Sequence, residues 1–407
     1  MRVSHRRVVL EETNVHVARS LTKGQVISRT SSTPTMNTEL EEKVERIQKM
    51  LFREGLGGVL LNSQHNFAWL TAGGRNGIDL SRDSGAGSLL VLRNGKKFIL
   101  ANNVEMPRLL TEEISETDFE PIEIVWQEER SVHNPVVRIA NKLSADCGQV
   151  ALDAPLNGHV HTIERLISEC RYSLTPNETD RFKVLGSDAG GAIGRVINNI
   201  EPGMTELEIA AHVDSEFMAK NMFAVVNLVA ADVRLEKFRH PVPTQNRWEK
   251  LLMLVVCAKR EGLIVSLSRI ISAGTIPEAL ERRTRAVAQV NACLSAAMQP
   301  GKTGAELYET AKNAYQKAGF ADEINKHHQG GACGYRTRDW VAHPTSDETV
   351  FANQAFAWNP SITGTKVEET GIALHEGFEI VTTTPGFPQI AVCENGREYF
   401  SPGILSI

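Results

Sequence analysis

The sequence predicts an α+β protein with two structured domains, an N-terminal three-layer α/β domain over 37–175 and a C-terminal domain over 176–407. Strands and helices alternate along the first of these, which is typical of a layered α/β domain. In the second, two helices with similar starts stand on either side of a long apolar hairpin, and further strands follow. The 407 residues suffice for two or three domains with sizeable cores.

Composition and charge are ordinary for a soluble chain and exclude some classes of function. Hydrophobic residues make up 42% and the net charge is −5, so we expect no nucleic-acid partner. No apolar run reaches the roughly 20 residues that cross a bilayer, so we expect no membrane partner. The six cysteines are scattered without a C-x-x-C pair, which favours a reducing, cytoplasmic location over a disulfide framework.

The first 35 residues differ from the rest of the chain. They are rich in Arg, Ser and Thr, and Glu11 and Glu12 are their only acidic residues. Transit peptides share this composition, so a targeting segment is one interpretation of 1–35. A disordered extension, or translation from an upstream start codon, is the other interpretation, and it is favoured because Met36 directly precedes the first helical pattern.

The elements of the N-terminal domain follow from apolar spacing and turn residues. Leu40, Val44, Ile47 and Leu51 are spaced as on one face of a helix. Asn94-Gly95 is a strong hairpin signal between two apolar runs. These patterns predict helices over 37–55 and 134–144, a strand over 57–62, a hairpin over 87–102, and strands over 122–127 and 149–155.

The C-terminal domain contains a repeated pattern, which indicates an internal duplication. Segments 201–220 and 299–319 each have Pro-Gly, then Thr, then Glu-Leu and an Ala-rich helix. In the first copy, Thr205 and Glu208 form a predicted capping box. A long helix is predicted from near Glu178, after a break at Pro176. A hairpin over 251–269, then strands and loops over 327–340, 354–370 and 377–385, complete the domain.

The order of six short motifs resembles the creatinase, prolidase and aminopeptidase P family, whose catalytic domain has a pita-bread fold. The motifs are NFAWLTAGG (66–74), EPGMTE (201–206), the hairpin end Leu267-Ser268-Arg269, QPGKTGAE (299–306), HHQGGACGY (327–335) and NPSITGTKVEET (359–370). The resemblance covers 37–407. It implies a homodimer in which the N-terminal domain of one chain closes the other's pocket, so that His65, Asn66 and Arg75 reach a neighbouring site.

The resemblance also implies positions for metal ligands, because the family's peptidases bind two divalent ions through two Asp, one His and two Glu. Aligned on Arg269, these positions fall on Val255, Ser266, His328 (or His327 with a shifted register), Asn359 and Glu368, which Glu369 follows. One histidine and one carboxylate cannot offset the charge of two dications. We therefore predict no metal and no other cofactor.

Creatinase is the metal-free member of the family, and the resemblance of this chain to it implies that a neutral histidine moves the proton. His240 falls where family members have a substrate-side histidine, so it is the predicted general base or proton shuttle. His328 and Glu368 are predicted to position the substrate and the developing charge. The predicted substrate contacts are Asn359, His327, Arg269, Arg336 and Ser266.

Structural interpretations of the same residues stay open. His328 could hydrogen-bond only to the backbone, and Glu368 could be a partner of Lys366 or Arg269. Arg336 and Arg338 are either ligands for a substrate carboxylate or surface charges. Cys257 and Cys333 are interpreted as buried structural thiols.

Three functions are compatible with the sequence. The first is metal-independent hydrolysis of an amide or amidine C–N bond in a small molecule or short peptide. A guanidinium substrate like that of creatinase is not favoured, because the carboxylate that creatinase uses on this hairpin would fall at Ser268, which is not an acid. The second is ligand binding without catalysis, and the third is a metal-dependent peptidase acting on Xaa-Pro bonds.

Overall fold

The computed structural model describes residues 35–115, 117–156 and 158–407. The chain divides into two compact units, with the division between Arg171 and Tyr172; unit 1 precedes it and unit 2 follows it. The predicted extension or targeting segment lies outside the described residues, apart from Thr35. No helix in the described ranges is both long enough and apolar enough to cross a membrane.

Unit 1 is built on a five-stranded mixed sheet with the order β4-β3-β2-β1-β5. The strands are β1 (Gly58–Ser63), β2 (Ser84–Leu92), β3 (Lys97–Asn102), β4 (Glu120–Ile124) and β5 (Val150–Leu152). The β2–β3 hairpin has the predicted turn, with Gly95 at a φ of 86°. β1 pairs antiparallel with β2 and parallel with β5, so β1 is an interior strand with every residue buried.

The helices described in unit 1 include the two that were predicted, over 37–55 and 134–144, and four that were not. They are α1 (Thr35–Arg53), α2 (Gln64–Leu70), α3 (Met106–Arg108), continued by a π-helical turn over Leu109–Glu113, α4 (Trp126–Glu129), α5 (Val136–Leu143) and α6 (Glu164–Arg171). The predicted strand over 122–127 is too long, because its last residues belong to α4. The backbone N–H of Trp126 donates to Asn103 Oδ1, 2.9 Å away, so it cannot continue a strand ladder.

Unit 2 contains two four-stranded sheets, with the orders β17-β8-β7-β6 and β14-β13-β10-β9. The strands of unit 2 are β6 (Phe223–Ala231), β7 (Leu251–Arg260), β8 (Leu263–Ser272), β9 (Gly330–Cys333), β10 (Gln354–Trp358), β11 (Ser361–Ile362), β12 (Thr365–Lys366), β13 (Glu369–Leu374), β14 (Gly377–Ile380), β15 (Gln389–Glu394), β16 (Arg397–Pro402) and β17 (Ile404–Ser406). The predicted hairpin is the antiparallel pair β7–β8, with Glu261 and Gly262 at positive φ in its turn.

Three of the helices described in unit 2 begin with a capping box. They are α7 (Pro176–Asn198), α8 (Glu206–Met218), α9 (Arg234–Lys237), α10 (Glu278–Ala297) and α11 (Gly304–Lys317), followed by a 3₁₀ turn over Ala321–Asn325. Thr205 caps α8 and Thr303 caps α11 with the same geometry, as an internal duplication predicts. α7 begins at Pro176, earlier than predicted, because proline suits the first helical position and Thr175 and Glu178 form its box.

The two sheets of unit 2 meet where β8 lies against the start of β13. The Ser268 backbone N–H donates to Glu368 O over 3.1 Å, and the Ser266 N–H donates to Thr370 Oγ1 over 2.7 Å. Ser268 also pairs with Val255 across the β7–β8 hairpin. This junction brings together residues from β7, β8 and the segment before β13, which are far apart in the sequence.

Candidate active site

Glu368 lies at the centre of the junction between the sheets and is 2% exposed. Ser268 Oγ donates to Glu368 Oε2 over 2.6 Å, and Lys366 Nζ lies 3.0 Å from the same oxygen. Arg338 Nη2 lies 3.5 Å from Oε1. Burial alone would raise the pKa of Glu368, but Lys366 and Arg338 outweigh it and lower that pKa to about 2. The carboxylate is therefore ionised near neutral pH.

Three imidazoles form a cluster beside this ion pair. His240 Nε2 lies 3.2 Å from His327 Nε2, and the rings of His327 and His328 stack with their centroids 4.3 Å apart. His240 is exposed and follows α9, whereas His327 and His328 lie between the 3₁₀ turn and β9. Residues that are 87 positions apart in the sequence thus meet at one point.

All three imidazoles are held in the neutral form. Desolvation and, after it, the charge of Lys366 lower the pKa of His327 to about 2. Desolvation and the charge of Arg338 lower the pKa of His328 to about 4. The pKa of His240 is lowered for the same reasons, chiefly desolvation and then Lys366. Near neutral pH each ring therefore has one N–H donor and one unprotonated nitrogen.

The residues at the family's ligand positions do not fit a dinuclear metal centre. Val255 belongs to an apolar cluster with Leu235, Met253 and Ile270, so hydrocarbon stands where the first Asp is expected. Ser266 Oγ lies 3.1 Å from Cys257 Sγ, and both are buried. Glu368 already has two cationic partners. A pair of dications would meet one ionised carboxylate and two fixed positive charges, and such an arrangement cannot balance them.

Asn359 occupies the position of the family's first Glu and presents an unused acceptor. Its backbone N–H donates to Gln329 O over 2.9 Å, and the residue is 3% exposed. Asn359 Oδ1 has no hydrogen-bond partner among the described residues, nor does Ser361 Oγ. Buried acceptors of this kind are normally satisfied, so Asn359 Oδ1 is available to a water molecule or to a substrate N–H.

The cavity beside His327 is small. A cavity of about 10 Å³ lies beside His327 and is also lined by Met253, Ser361 and Lys366. That is room for about one water molecule. The exposed side of His240 is the face on which a larger molecule can approach. A larger cavity of about 540 Å³ lies within unit 1 and is lined by none of the predicted catalytic residues.

Arg269 and Glu369 form a separate ion pair on the other side of the strand. Arg269 Nη2 lies 2.9 Å from Glu369 Oε1, and the guanidinium also donates to Thr384 Oγ1, Thr382 O and Ser268 O. Burial raises the pKa of Glu369 to about 7. These contacts favour a structural role for Arg269, which the sequence analysis proposed as a substrate contact.

The remaining predicted residues have mixed environments. Arg336 is exposed, whereas Arg338 is partly buried by its contact with Glu368. Ser266 is taken up by hydrogen bonds to Thr370 and Cys257, which favours a structural role. Burial raises the pKa of Cys257 to about 11, so its thiol is a poor nucleophile.

Lys366 and Arg338 lie at the site but were not among the predicted site residues. Lys366 precedes Glu368 by two positions in a region of extended chain, where alternate side chains share a face. The spacing of two positions is the feature of the sequence that could have indicated the contact between Lys366 and Glu368. No local pattern indicates Arg338, because it approaches Glu368 from 30 positions away.

The chain is similar to known proteins both in sequence and in structure. Residues 183–382 match the model of the family described as "Metallopeptidase family M24". A Xaa-Pro dipeptidase from Lactobacillus helveticus is 21% identical over 240 residues, which is 56% of this chain; the chain spans 65% of that relative's length. A solved Xaa-Pro dipeptidase from Bacillus anthracis has a TM-score of 0.69 at 16% identity, and covers 85% of this chain and 98% of its own.

A different kind of protein shares the same fold. The N-terminal domain of the FACT complex subunit SPT16 from chickpea has a TM-score of 0.65 at 11% identity. The match covers 85% of this chain and 97% of that domain. At such identities the likeness of structure concerns the fold alone. The function must therefore be argued from the site residues.

Proposed function

Since residues 183–382 of this chain belong to metallopeptidase family M24, we propose that it hydrolyses an amide or amidine C–N bond in a small molecule or short peptide. The proposed reaction proceeds without the dinuclear metal centre of the family's peptidases. A neutral imidazole takes the place of the metals in activating water. The distance of 3.2 Å between His240 Nε2 and His327 Nε2 is the observation that carries this proposal.

In the proposed reaction His240 acts as the proton shuttle. Its unprotonated nitrogen accepts a proton from water as the water oxygen forms a bond to the carbon of the scissile group. The imidazolium that results then donates this proton to the departing nitrogen as the C–N bond breaks, so the histidine ends neutral. His327, in contact with His240, holds its ring in position.

Charged and polar neighbours support this chemistry. The positive charges of Lys366 and Arg338 are available to stabilise negative charge that develops on the substrate oxygen or nitrogen. Glu368 holds both cations in place through contacts of 3.0 and 3.5 Å. Asn359 Oδ1 is a free acceptor for a substrate N–H. The similarity to Xaa-Pro dipeptidases favours a peptide-like amide as the substrate.

Ligand binding without turnover is the second candidate function. Both oxygens of Glu368 are engaged by Ser268, Lys366 and Arg338, so no ionised carboxylate of the junction is free to polarise a water molecule. The cavity of about 10 Å³ beside His327 also leaves little room at the junction itself. The third possibility, a metal-dependent Xaa-Pro peptidase, requires the dinuclear ligand set that the residues do not supply.

The His240→Gln variant tests the choice between catalysis and binding. Full-length protein is incubated with a panel of Xaa-Pro dipeptides, N-acyl amino acids and amidines, and released amine is measured together with ligand affinity. We expect His240→Gln to lower kcat by about 10²- to 10⁴-fold with little change in affinity, because general acid–base catalysis contributes that much.

His375→Gln is the matched control, because His375 is an exposed histidine of the same unit outside the site. Unchanged turnover in His240→Gln contradicts the role of His240. A ligand that binds wild-type protein and is never cleaved supports the binding function instead.

A further inference from the structure

The three clustered imidazoles are also arranged as ligands for a metal ion. His240, His327 and His328 each offer one ring nitrogen, and these nitrogens all lie within 4.8 Å of one another. They come from two loops, and only His328 corresponds to a ligand position of the dinuclear set. We propose that these three histidines form a binding site for a single divalent transition-metal ion of the zinc class, distinct from the family's dinuclear centre.

The spacing of the nitrogens supports tetrahedral coordination. Zinc binds imidazole nitrogen at about 2.0–2.1 Å, so two tetrahedral ligands lie about 3.3 Å apart. His240 Nε2 and His327 Nε2 are already 3.2 Å apart. His328 stacks beside His327 with ring centroids 4.3 Å apart, and its ligand nitrogen lies within 4.8 Å of those of the other two histidines. Three histidines leave the fourth position to water.

The backbone that carries His327 is held by buried contacts. Gln329 Nε2 donates to His327 O, and Tyr315 Oη donates to Gln329 Oε1 over 2.7 Å. Tyr315 and Gln329 are both buried. These bonds fix the backbone at His327, whereas its ring Nδ1, the atom that usually has a hydrogen-bond partner in a metal-binding histidine, has none among the described residues. His240, by contrast, is exposed, so an ion can enter from solvent and complete its coordination there.

Two charged groups oppose the binding of a cation, and one favours it. Lys366 and Arg338 are both close enough to act on His328, and Glu368 acts on it with the opposite sign. Together these three side chains carry a net charge of +1. We therefore expect weaker affinity than in a histidine site without cations nearby, and tighter binding once Lys366 loses its charge.

Metal binding and the proposed catalysis exclude each other, because both need the unprotonated nitrogen of His240. Zinc is therefore expected to inhibit turnover. This consequence rests on the proposed function, whereas the site itself does not. Calorimetry measures binding and an activity assay measures inhibition, so the two claims can fail separately.

The test is a calorimetric titration of full-length, chelator-stripped protein with zinc chloride at pH 7.5. We expect one equivalent to bind at the cluster, with affinity lowered at least tenfold in His240→Ala and in His328→Ala. His375→Ala, an exposed histidine elsewhere in unit 2, should bind as wild type does. Lys366→Met should bind zinc more tightly. Magnesium should not compete, because hard cations prefer oxygen ligands.

Circular dichroism and thermal unfolding of each variant confirm that it is folded, and zinc should raise the Tm of wild-type protein but not of His240→Ala. Equal zinc affinity in wild type, His240→Ala and His328→Ala overturns the site and leaves a hydrogen bond as the reason for the short contact between His240 and His327. If zinc binds without inhibiting turnover, the shuttle role of His240 is contradicted, whereas the metal site is supported.

Discussion

At the scale of single residues, Lys366 alters the electrostatics of the junction between the two sheets. A lone buried carboxylate normally has a raised pKa, yet the pKa of Glu368 falls to about 2 because two cations lie within 3.5 Å. In a dinuclear site that carboxylate would bind metal. Here the chain supplies the positive charge itself, through Lys366 and Arg338, so Glu368 has cationic partners without a metal ion.

A second carboxylate, that of the partly buried Glu164 in unit 1, is also surrounded by donors. His65 Nε2 and Arg171 Nη2 both lie 2.9 Å from Glu164 Oε1, and Asn66 Nδ2 donates to Oε2 over 2.7 Å. Burial would raise the pKa of Glu164, but His65 and Arg171 lower it to about 2. His65 and Asn66, which the resemblance assigned to a neighbouring site, therefore have partners within their own unit.

The Glu164 network predicts a pH-dependent stability. The folded pKa lies below the ordinary 4.5, so the stabilisation is complete above that value and is lost as the pH falls through about 2. We expect the difference in unfolding free energy between wild type and Glu164→Gln to shrink by about 2 kcal/mol from pH 7 to pH 3. Urea unfolding at several pH values measures it. A difference that stays constant with pH contradicts the assignment.

At the scale of elements, α7 approaches the segment after β14 so closely that one helical position requires glycine. A Cβ on Gly190 would lie 2.0 Å from Thr383 O, whereas a Cβ on Gly191 would meet nothing closer than Arg195 Nη1 at 3.7 Å. The flanking Thr382 and Thr384 hold Arg269 behind the junction of the sheets. α7 thus packs against the segment that contacts Arg269.

Gly190 and Gly191 form a matched pair for testing this packing. Gly190→Ala should destabilise unit 2 by about 1–3 kcal/mol, because the backbone must shift to admit the methyl group. Gly191→Ala should be neutral or stabilise by up to about 1 kcal/mol through helix propensity. Chemical denaturation of both variants measures the difference. Equal effects at the two positions would show that α7 does not make this contact in solution.

At the scale of the whole molecule, the proposed function predicts the response to chelators. Exhaustive treatment of the protein with EDTA should leave turnover intact or raise it, because the proposed chemistry uses imidazole and the proposed zinc site is inhibitory. Released amine is measured before and after treatment, and again after adding Mn²⁺ or Co²⁺. Loss of activity on chelation, restored by Mn²⁺, would instead support a metal-dependent peptidase.

Much of the architecture could be predicted because it depends on local signals. Helical spacing predicted α1, Asn94-Gly95 predicted the β2–β3 turn, and the Thr205–Glu208 pair predicted the cap of α8. Each signal involves residues within a few positions of one another. Pro176 was interpreted as a break before the helix, but proline can also occupy the first position of a helix. The neighbouring residues decide between these two roles, and here the capping box of Thr175 and Glu178 makes Pro176 the first residue of α7.

The sequence by itself determined the family's fold and the residue types at its ligand positions, because motif order and residue identity are properties of the chain alone. The tertiary structure decided which charges meet. It placed Arg338 and Lys366 on Glu368, directed Arg269 to Glu369, and brought His240 to His327 from 87 positions away. Contacts between distant segments depend on how the sheets and loops pack, and no local periodicity records that packing.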